Sequence, residues 1–238
     1  QRSNQVGWRC YFLWPKPAVV AEIKIGMIKP FTGPATEFGK YYQESAQFLI
    51  DEINAAGGIK SLGGTKLALV LGDTVSDPKT GALEAERVIT KENVVAILGS
   101  YNSGVTKTVS DVAEEYKVPH ITSGSISNLL TERGLQWFFR VCPRHIDMWI
   151  GCFEVLKEIN QKTPGAIKTV GIMAEETESG RSFRDTVINL TKDYGFTNNI
   201  IVMAPQGSTT LDAEITKLKD ANPDALTFDF GTVTDGIL

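Results

Sequence analysis

The stretch GSYNSGVTKTVSDVAEEYKVPHITSGSIS, residues 99–127, indicates the fold of this chain. Small polar residues at 101–104 and again at 123–127 each follow an apolar run. Between them, apolar residues recur along one face of a helical pattern that should begin near Ser103, and VPHIT then reads as a short strand. Strand, helix and strand in this order form the repeating unit of a parallel sheet.

The same alternation continues on both sides of this stretch. Strands are predicted at EIKIGMI, TKLALVLGD and VVAILGS, and Asp77 followed by Pro78 is typical of a helix start. The pattern restarts after Pro143 and runs through KTVGIM, NNIIVMAP and ALTFDFG. We therefore predict an α/β fold with two Rossmann-like lobes and parallel sheets, the first at 22–143 and a partial second at 144–238.

The first predicted helix carries an apolar stripe and stops at Gly57. Its members are expected to share one helical face: Phe38, Tyr42, Ala46, Leu49, Ile50 and Ile53.

Composition excludes several classes of function. The 238 residues are 42% hydrophobic and 22% charged, which is ordinary for a globular protein. The formal net charge of -4 and the absence of a Lys/Arg-rich block argue against nucleic acid as a partner. Because no apolar stretch approaches the roughly 20 residues of a membrane-spanning helix, direct membrane insertion is not expected.

Residues 1–21 do not resemble the start of a domain. Two arginines precede the apolar CYFLW, but Pro15 and Pro17 interrupt what would be the core of a secretion signal. We interpret the segment as an atypical leader that is not part of the fold. The three cysteines, Cys10, Cys142 and Cys152, specify neither a zinc site nor a complete disulfide framework, and a pairing of the last two stays open.

Both small polar clusters are expected at the carboxyl edge of the first sheet, where α/β proteins bind ligands. A helix start at Ser103 and Gly104 offers free N–H groups and a hydroxyl, while Gly124 permits close approach to the backbone. The candidate ligand-binding residues of the first lobe are Phe38, Tyr101, Asn102, Ser103, Gly104, Ser123, Gly124 and Ser125. Each also has a local explanation, as a helix cap, a turn or a packing contact.

Motifs for catalysis are missing from the sequence. It has no GxSxG, P-loop, GxGxxG or HExxH pattern. Neither histidine has an obvious partner, and His120 inside VPHIT reads as a packed strand residue rather than a general base. Asp73 and Asp77 are too few to specify a metal, and helix capping explains Asp77. We predict a protein that is not an enzyme and needs no cofactor or metal.

Three segments of the sequence share the pattern of a known family: IGMIKPFTGPATEFGKYYQESAQFLIDEINAAGGI, LVLGDTVSDPKTGALEAERVI and VVAILGSYNSGVTKTVSDVAEEYKVPHIT. They resemble the leucine/isoleucine/valine-binding type of periplasmic solute-binding protein. The resemblance implies a Venus-flytrap fold that binds an amino acid or a related amide or carboxylate between its lobes. It also implies a periplasmic or cell-surface location and a membrane permease of an ABC importer as partner. The alternative is a ligand-sensing domain of a regulator or receptor with the same fold.

The resemblance also assigns roles to individual residues. Ser103 would hold the ligand carboxylate. The backbone of Gly124 would contact the ligand near its ammonium, and Phe38 would lie beside the side chain of the ligand. Ser179 adds a candidate from the second lobe, where branched-chain binders have a tyrosine, and Ile126 stands where they have a threonine. Leucine, isoleucine and valine are therefore not expected to be the preferred ligands.

The end of the sequence departs from the family pattern. Family members complete the second lobe and cross back to the first, whereas GTVTDGIL follows the strand ALTFDFG directly here. The sequence is thus expected to be a fragment that binds its solute poorly by itself. Asp229, near the relevant edge of the second sheet, is expected to point to solvent.

Overall fold

Parallel strands in two separate sheets organise the chain. The computed structural model describes residues 22–208 and 210–231. The predicted leader and Cys10 lie outside these residues. The strands are β1 (Glu22–Lys29), β2 (Lys66–Asp73), β3 (Ala96–Gly99), β4 (His120–Thr122), β5 (Phe138–Arg140), β6 (Thr169–Glu175), β7 (Thr197–Ala204) and β8 (Ala225–Asp229). The helices are α1 (Thr36–Ala55), α2 (Pro78–Thr90), α3 (Ser103–Tyr116), α4 (His145–Lys162), α5 (Glu178–Asp193) and α6 (Asp212–Ala221).

The first lobe is built on a sheet with the strand order β2-β1-β3-β4-β5, and every pair is parallel. Helices α2 and α3 cover it with a core in which Ile28 and Ile97 of the strands meet Val88 and Val109. Because all strands run the same way, their carboxyl ends lie at one edge of the sheet. The predicted α/β fold is confirmed for this lobe.

The second lobe contains a three-stranded parallel sheet in the order β7-β6-β8. Ile172 of β6 packs with Phe153 of α4 and with Phe183 and Val187 of α5 in its main core. The chain passes from one sheet to the other between the end of β5 at Arg140 and the start of α4. The predicted domain limits at 143 and 144 stay a prediction.

The apolar face predicted for α1 is only partly buried. Ile50 is buried, but Leu49 is 59% exposed and Ile53 is 36% exposed. Periodicity shows that a helix has an apolar face without showing what covers that face, and α1 packs mainly along β2.

The strand β5 was not predicted, because three residues are too few for a periodic pattern. Cys142 and Cys152 are free thiols, which answers the open question about their pairing.

Candidate functional site

A cavity of about 310 Å³ lies between the two lobes, at the carboxyl ends of both sheets. Its walls come from the segments that follow β2, β3 and β4 in the first lobe and β6, β7 and β8 in the second. The lining residues are Ser76, Pro78, Tyr101, Asn102, Ser103, Gly104, Val105, Gly124, Ile126, Glu175, Glu176, Thr177, Glu178, Ser179, Arg181, Gln206, Asp229, Phe230 and Gly231.

The amino-terminal end of α3 forms part of the first-lobe wall. The helix begins at Ser103, as predicted, but Asn102 is the N-cap residue and its side chain makes no capping hydrogen bond. The first N–H groups of a helix have no acceptor within the helix, so this end offers donors to the cavity. The buried Oδ1 of Asn102 has no hydrogen-bond partner among the described residues and is a free acceptor.

Ser103 has a hydroxyl that is already part of a hydrogen-bond network. Its Oγ accepts the backbone N–H of Ser127 at 3.3 Å, and the residue is 3% exposed. The hydroxyl hydrogen can still be donated to a bound solute, because a serine oxygen accepts and donates at the same time.

An aromatic pair stands beside this wall. The ring of Tyr101 stacks on Phe38 with 4.3 Å between centroids, and its hydroxyl donates to the carbonyl of Gly231 in the second lobe at 3.2 Å. Burial raises the pKa of Tyr101 to about 12, so its phenol stays a donor. A Cβ on Gly124 would stand 2.6 Å from the hydroxyl of Tyr42, so only glycine fits there without a shift of Tyr42.

The serines around Gly124 do not line the cavity. Ser125 is fully buried, where its hydroxyl donates to the carbonyl of Tyr101 at 2.9 Å and pairs with the hydroxyl of Thr106. Ser123 is exposed, and its carbonyl accepts a hydrogen bond from Tyr42 at 3.4 Å. Ser125 therefore holds the loop from behind.

On the second-lobe side, Ser179 links two residues that are distant in sequence. Its hydroxyl is 3.1 Å from Nε2 of His145 and donates to Oδ2 of Asp229 at 3.3 Å. The expectation that Asp229 points to solvent is wrong, because the carboxylate faces the cavity. Burial raises the pKa of Asp229, and the hydrogen bond from Ser179 opposes that rise. His145, for which the sequence suggested no partner, is fully buried, and burial lowers its pKa to about 4.

This trio does not have the order of a hydrolase triad. In such a triad the imidazole lies between the serine and the acid, whereas here the serine lies between His145 and Asp229.

The other histidine, His120, is packed as predicted, with Nε2 at 2.6 Å from the carbonyl of Gly99. Asp77 caps α2 as predicted, since its side chain accepts the N–H of Thr80. Within residues 22–208 and 210–231, no group of three or more His, Cys, Asp and Glu side chains could hold a metal ion.

Sequence reasoning missed the acidic part of the second-lobe wall. Glu175 is the last residue of β6, Glu176 and Glu178 follow it, and all three line the cavity together with Arg181. The guanidinium of Arg181 is 2.8 Å from the carboxylate of Glu176 and 3.8 Å from that of Glu178. The run EETE at the end of a predicted strand was the available signal.

The structure brings together most of the predicted site. Six of the nine candidates line the cavity: Tyr101, Asn102, Ser103, Gly104, Gly124 and Ser179. Phe38 supports Tyr101 from behind, and Ser123 and Ser125 contact the loop without lining the cavity.

Comparison with known proteins places this architecture in a family. A family model described as periplasmic binding protein matches residues 22–235. The chain belongs to the periplasmic binding protein family. Among the described residues, none of the helices has the length and apolar character needed to cross a membrane.

Individual relatives share both sequence and fold with this family member. It is 31% identical over 209 residues to Leu/Ile/Val-binding protein homolog 7 of Brucella abortus, covering 87% of this chain and 51% of that protein. A leucine binding protein from Thermotoga maritima has a TM-score of 0.73 and 28% identity, covering 87% of this chain and 55% of that chain.

A third neighbour shows the breadth of the fold. A solute binding protein of an ABC transporter from Rhodopseudomonas palustris, in complex with 3,4-dihydroxybenzoic acid, has a TM-score of 0.74 at 20% identity. It covers 88% of this chain and 55% of that chain. The chain therefore spans about half the length of the relatives it matches, which are solute-binding proteins.

Proposed function

We propose that this chain belongs to an extracytoplasmic receptor that binds a small polar solute, an amino acid or a related amide or carboxylate, without catalysis. The receptor delivers the solute to the membrane permease of an ABC importer. The observation that carries the proposal is the cavity between the lobes, with hydrogen-bonding groups from both. A solute held there contacts both lobes at once, so its binding favours the closed arrangement.

The two walls offer complementary chemistry. On the first lobe, Ser103 and the free N–H groups of α3 donate hydrogen bonds. On the second lobe, Asp229 offers a carboxylate held by Ser179. A solute with an acceptor at one end and an amine or amide N–H at the other satisfies both walls.

The names of the relatives support this class of solute. One relative is named for leucine, isoleucine and valine, and one neighbour was solved with 3,4-dihydroxybenzoic acid. For this chain we expect leucine, isoleucine and valine to bind less well than polar amino acids or amides. Ile126 and Ser179 stand in the cavity wall where the resemblance implies a threonine and a tyrosine in branched-chain binders.

A thermal-shift panel on the 238-residue chain tests the proposal. The panel contains polar and branched-chain amino acids, short amides and aromatic acids, each followed by calorimetry where a shift is seen. A solute at about 100 times its Kd should stabilise the fold by about 2.7 kcal/mol. If no solute of these classes raises the melting temperature or gives binding heat, the proposed function is wrong for this chain.

A further inference from the structure

The side chain of Glu178 lies close to the start of α3. Glu178 belongs to the second lobe, yet its Cβ is 3.6 Å from the point where a Cβ on Gly104 would stand. Its Oε1 accepts the hydroxyl of Ser127 at 3.3 Å, and the N–H of Ser127 in turn donates to Ser103. The protein thus brings its own carboxylate against the donor-rich wall of the first lobe.

Glu178 is well placed to remain in this position. It is the first residue of α5, where a negative charge is favoured by the free N–H groups of its own helix. Its side chain is 21% exposed, and Arg181 is 3.8 Å away on the same helix. A second carboxylate from a solute would therefore meet a fixed like charge, which opposes its binding.

The charge of the whole cavity wall also opposes the binding of a solute carboxylate. The carboxylates of Glu176, Glu178 and Asp229 line it, against the single cation of Arg181 among the described lining residues. Arg181 is itself closest to Glu176, at 2.8 Å. The free Oδ1 of Asn102 adds an acceptor that needs a donor from the solute. A wall with these acceptors forms hydrogen bonds with N–H groups of a solute and repels its carboxylate oxygens.

We infer that Glu178 determines specificity by excluding carboxylate groups from the α3 side of the cavity, so that the site prefers amides and amines. The inference rests on the proposed function, because it concerns the same cavity. It narrows the solute class to molecules that meet the donors of α3 with a neutral acceptor, such as an amide oxygen, and present N–H donors to Asp229.

Matched pairs of solutes test the inference directly. In each pair a carboxylate is compared with its carboxamide: leucine with leucinamide, and 4-hydroxybenzoate with 4-hydroxybenzamide. Calorimetry gives the ratio of the two dissociation constants for the unaltered 238-residue chain, for Glu178→Gln and for the control Glu176→Gln. The control removes a carboxylate from the same wall, but one that Arg181 already neutralises.

The expected result is a preference for the amide in the unaltered chain. Glu178→Gln should shift the ratio toward the carboxylate by tenfold or more, and Glu176→Gln should shift it by less than threefold. A purely structural role of Glu178 would change both affinities together and leave the ratio unmoved.

Three results would overturn the inference, and they separate it from the proposed function. Equal ratios in both variants, or a preference of the unaltered chain for carboxylates, would show that Glu178 does not select amides over carboxylates. Either result leaves the proposed solute binding intact. Binding of neither member of any pair, together with a silent wider panel, would overturn the proposed function and the inference with it. Unfolding curves of all three proteins establish that each variant is folded before ratios are compared.

Discussion

Lys29 is the most unusual single residue of the first lobe. It is 1% exposed, donates to the carbonyl of Ser100 at 3.1 Å, and holds its Nζ 3.5 Å from the centroid of the Tyr42 ring. Burial lowers its pKa to about 7, and the neighbouring Cys142 opposes this only in part. A buried ammonium supported mainly by a carbonyl and a ring costs stability, so this position has a measurable pH signature.

Lys29→Met should flatten the dependence of stability on pH above neutrality. The unfolded chain keeps this proton up to about pH 10.4, whereas the folded protein releases it near pH 7. Between these values the unfolded state binds more protons, so the free energy of unfolding rises with pH, by up to about 1.4 kcal/mol per pH unit. Urea unfolding at pH 7, 8 and 9 measures this slope.

Lys24→Met provides the matched control on the same strand. Lys24 is partly exposed and pairs with Glu92 at 3.0 Å. The control should keep the slope of the unaltered chain, and Lys29→Met should lose most of it. Equal slopes in the two variants would show that Lys29 is not the group responsible.

Ser103→Ala should weaken solute binding without removing it. The hydroxyl is one of several donors at the start of α3, and a neutral hydrogen bond contributes about 0.5 to 1.5 kcal/mol, a two- to tenfold change in Kd. Calorimetry with the best solute of the panel measures the loss. Ser123→Ala, exposed and away from the cavity, should bind as the unaltered chain does. Unchanged affinity in Ser103→Ala would leave this serine as a structural partner of Ser127.

At the scale of elements, α5 connects the core of the second lobe with the cavity. Its amino-terminal end supplies Glu178, Ser179 and Arg181 to the wall, while Phe183 on the buried face is 0% exposed. The ring of Phe183 lies 4.9 Å from Trp149 and 5.8 Å from His145, measured between centroids. Packing of this one helix therefore sets the position of Glu178, Ser179 and Arg181 in the cavity wall.

Phe183→Ala should destabilise the second lobe by about 3 to 5 kcal/mol, because a large buried ring leaves a cavity behind. Phe228→Ala is the control, since Phe228 of β8 is 63% exposed and its loss should cost less than about 0.5 kcal/mol. Chemical denaturation of both variants gives the comparison. Similar costs for the two would contradict the assignment of Phe183 to the core.

At the scale of the whole molecule, the lobes meet through hydrogen bonds as well as through the cavity. The N–H of Asn128 donates to the hydroxyl of Ser182 at 2.9 Å, and its Nδ2 donates to Thr186 at 2.8 Å. Each lobe also contains one fully buried histidine, His120 in the first and His145 in the second. Protonation of these histidines in mild acid should therefore destabilise both lobes.

Stability should fall as the pH decreases from about 6.5 to 4. Burial lowers the pKa of both histidines to about 4, so the unfolded chain, with values near 6.5, binds more protons in this window. Each histidine adds a slope of up to about 1.4 kcal/mol per pH unit. Unfolding measured at pH 6.5, 5.5 and 4.5 should show the combined slope.

The sequence contains only these two histidines, which makes the test specific. His120→Gln and His145→Gln should each remove part of the slope, and the double variant should keep only what the carboxylates contribute. A double variant with the full slope would assign the acid sensitivity to other groups.

The amino-acid sequence by itself determined the local features of this protein. Alternating periodicity predicted the α/β fold and the two parallel sheets, Asp77 and Pro78 marked the start of α2, and Ser103 marked that of α3. These features depend on residues a few positions apart, where backbone geometry and side-chain spacing decide the outcome. Five of the nine candidate residues were placed at the cavity by the same logic, because parallel strands place their carboxyl ends together, and a sixth, Ser179, came from the family resemblance.

Only the tertiary structure decided which groups face the cavity. The direction of Asp229, its link through Ser179 to His145, and the approach of Glu178 to Gly104 join residues 34 to 84 positions apart. The exposure of Leu49 on α1 likewise depends on neighbours that no local pattern contains. Such contacts are fixed by how lobes and helices pack, and the burial that packing creates sets the charge and the pKa of each group.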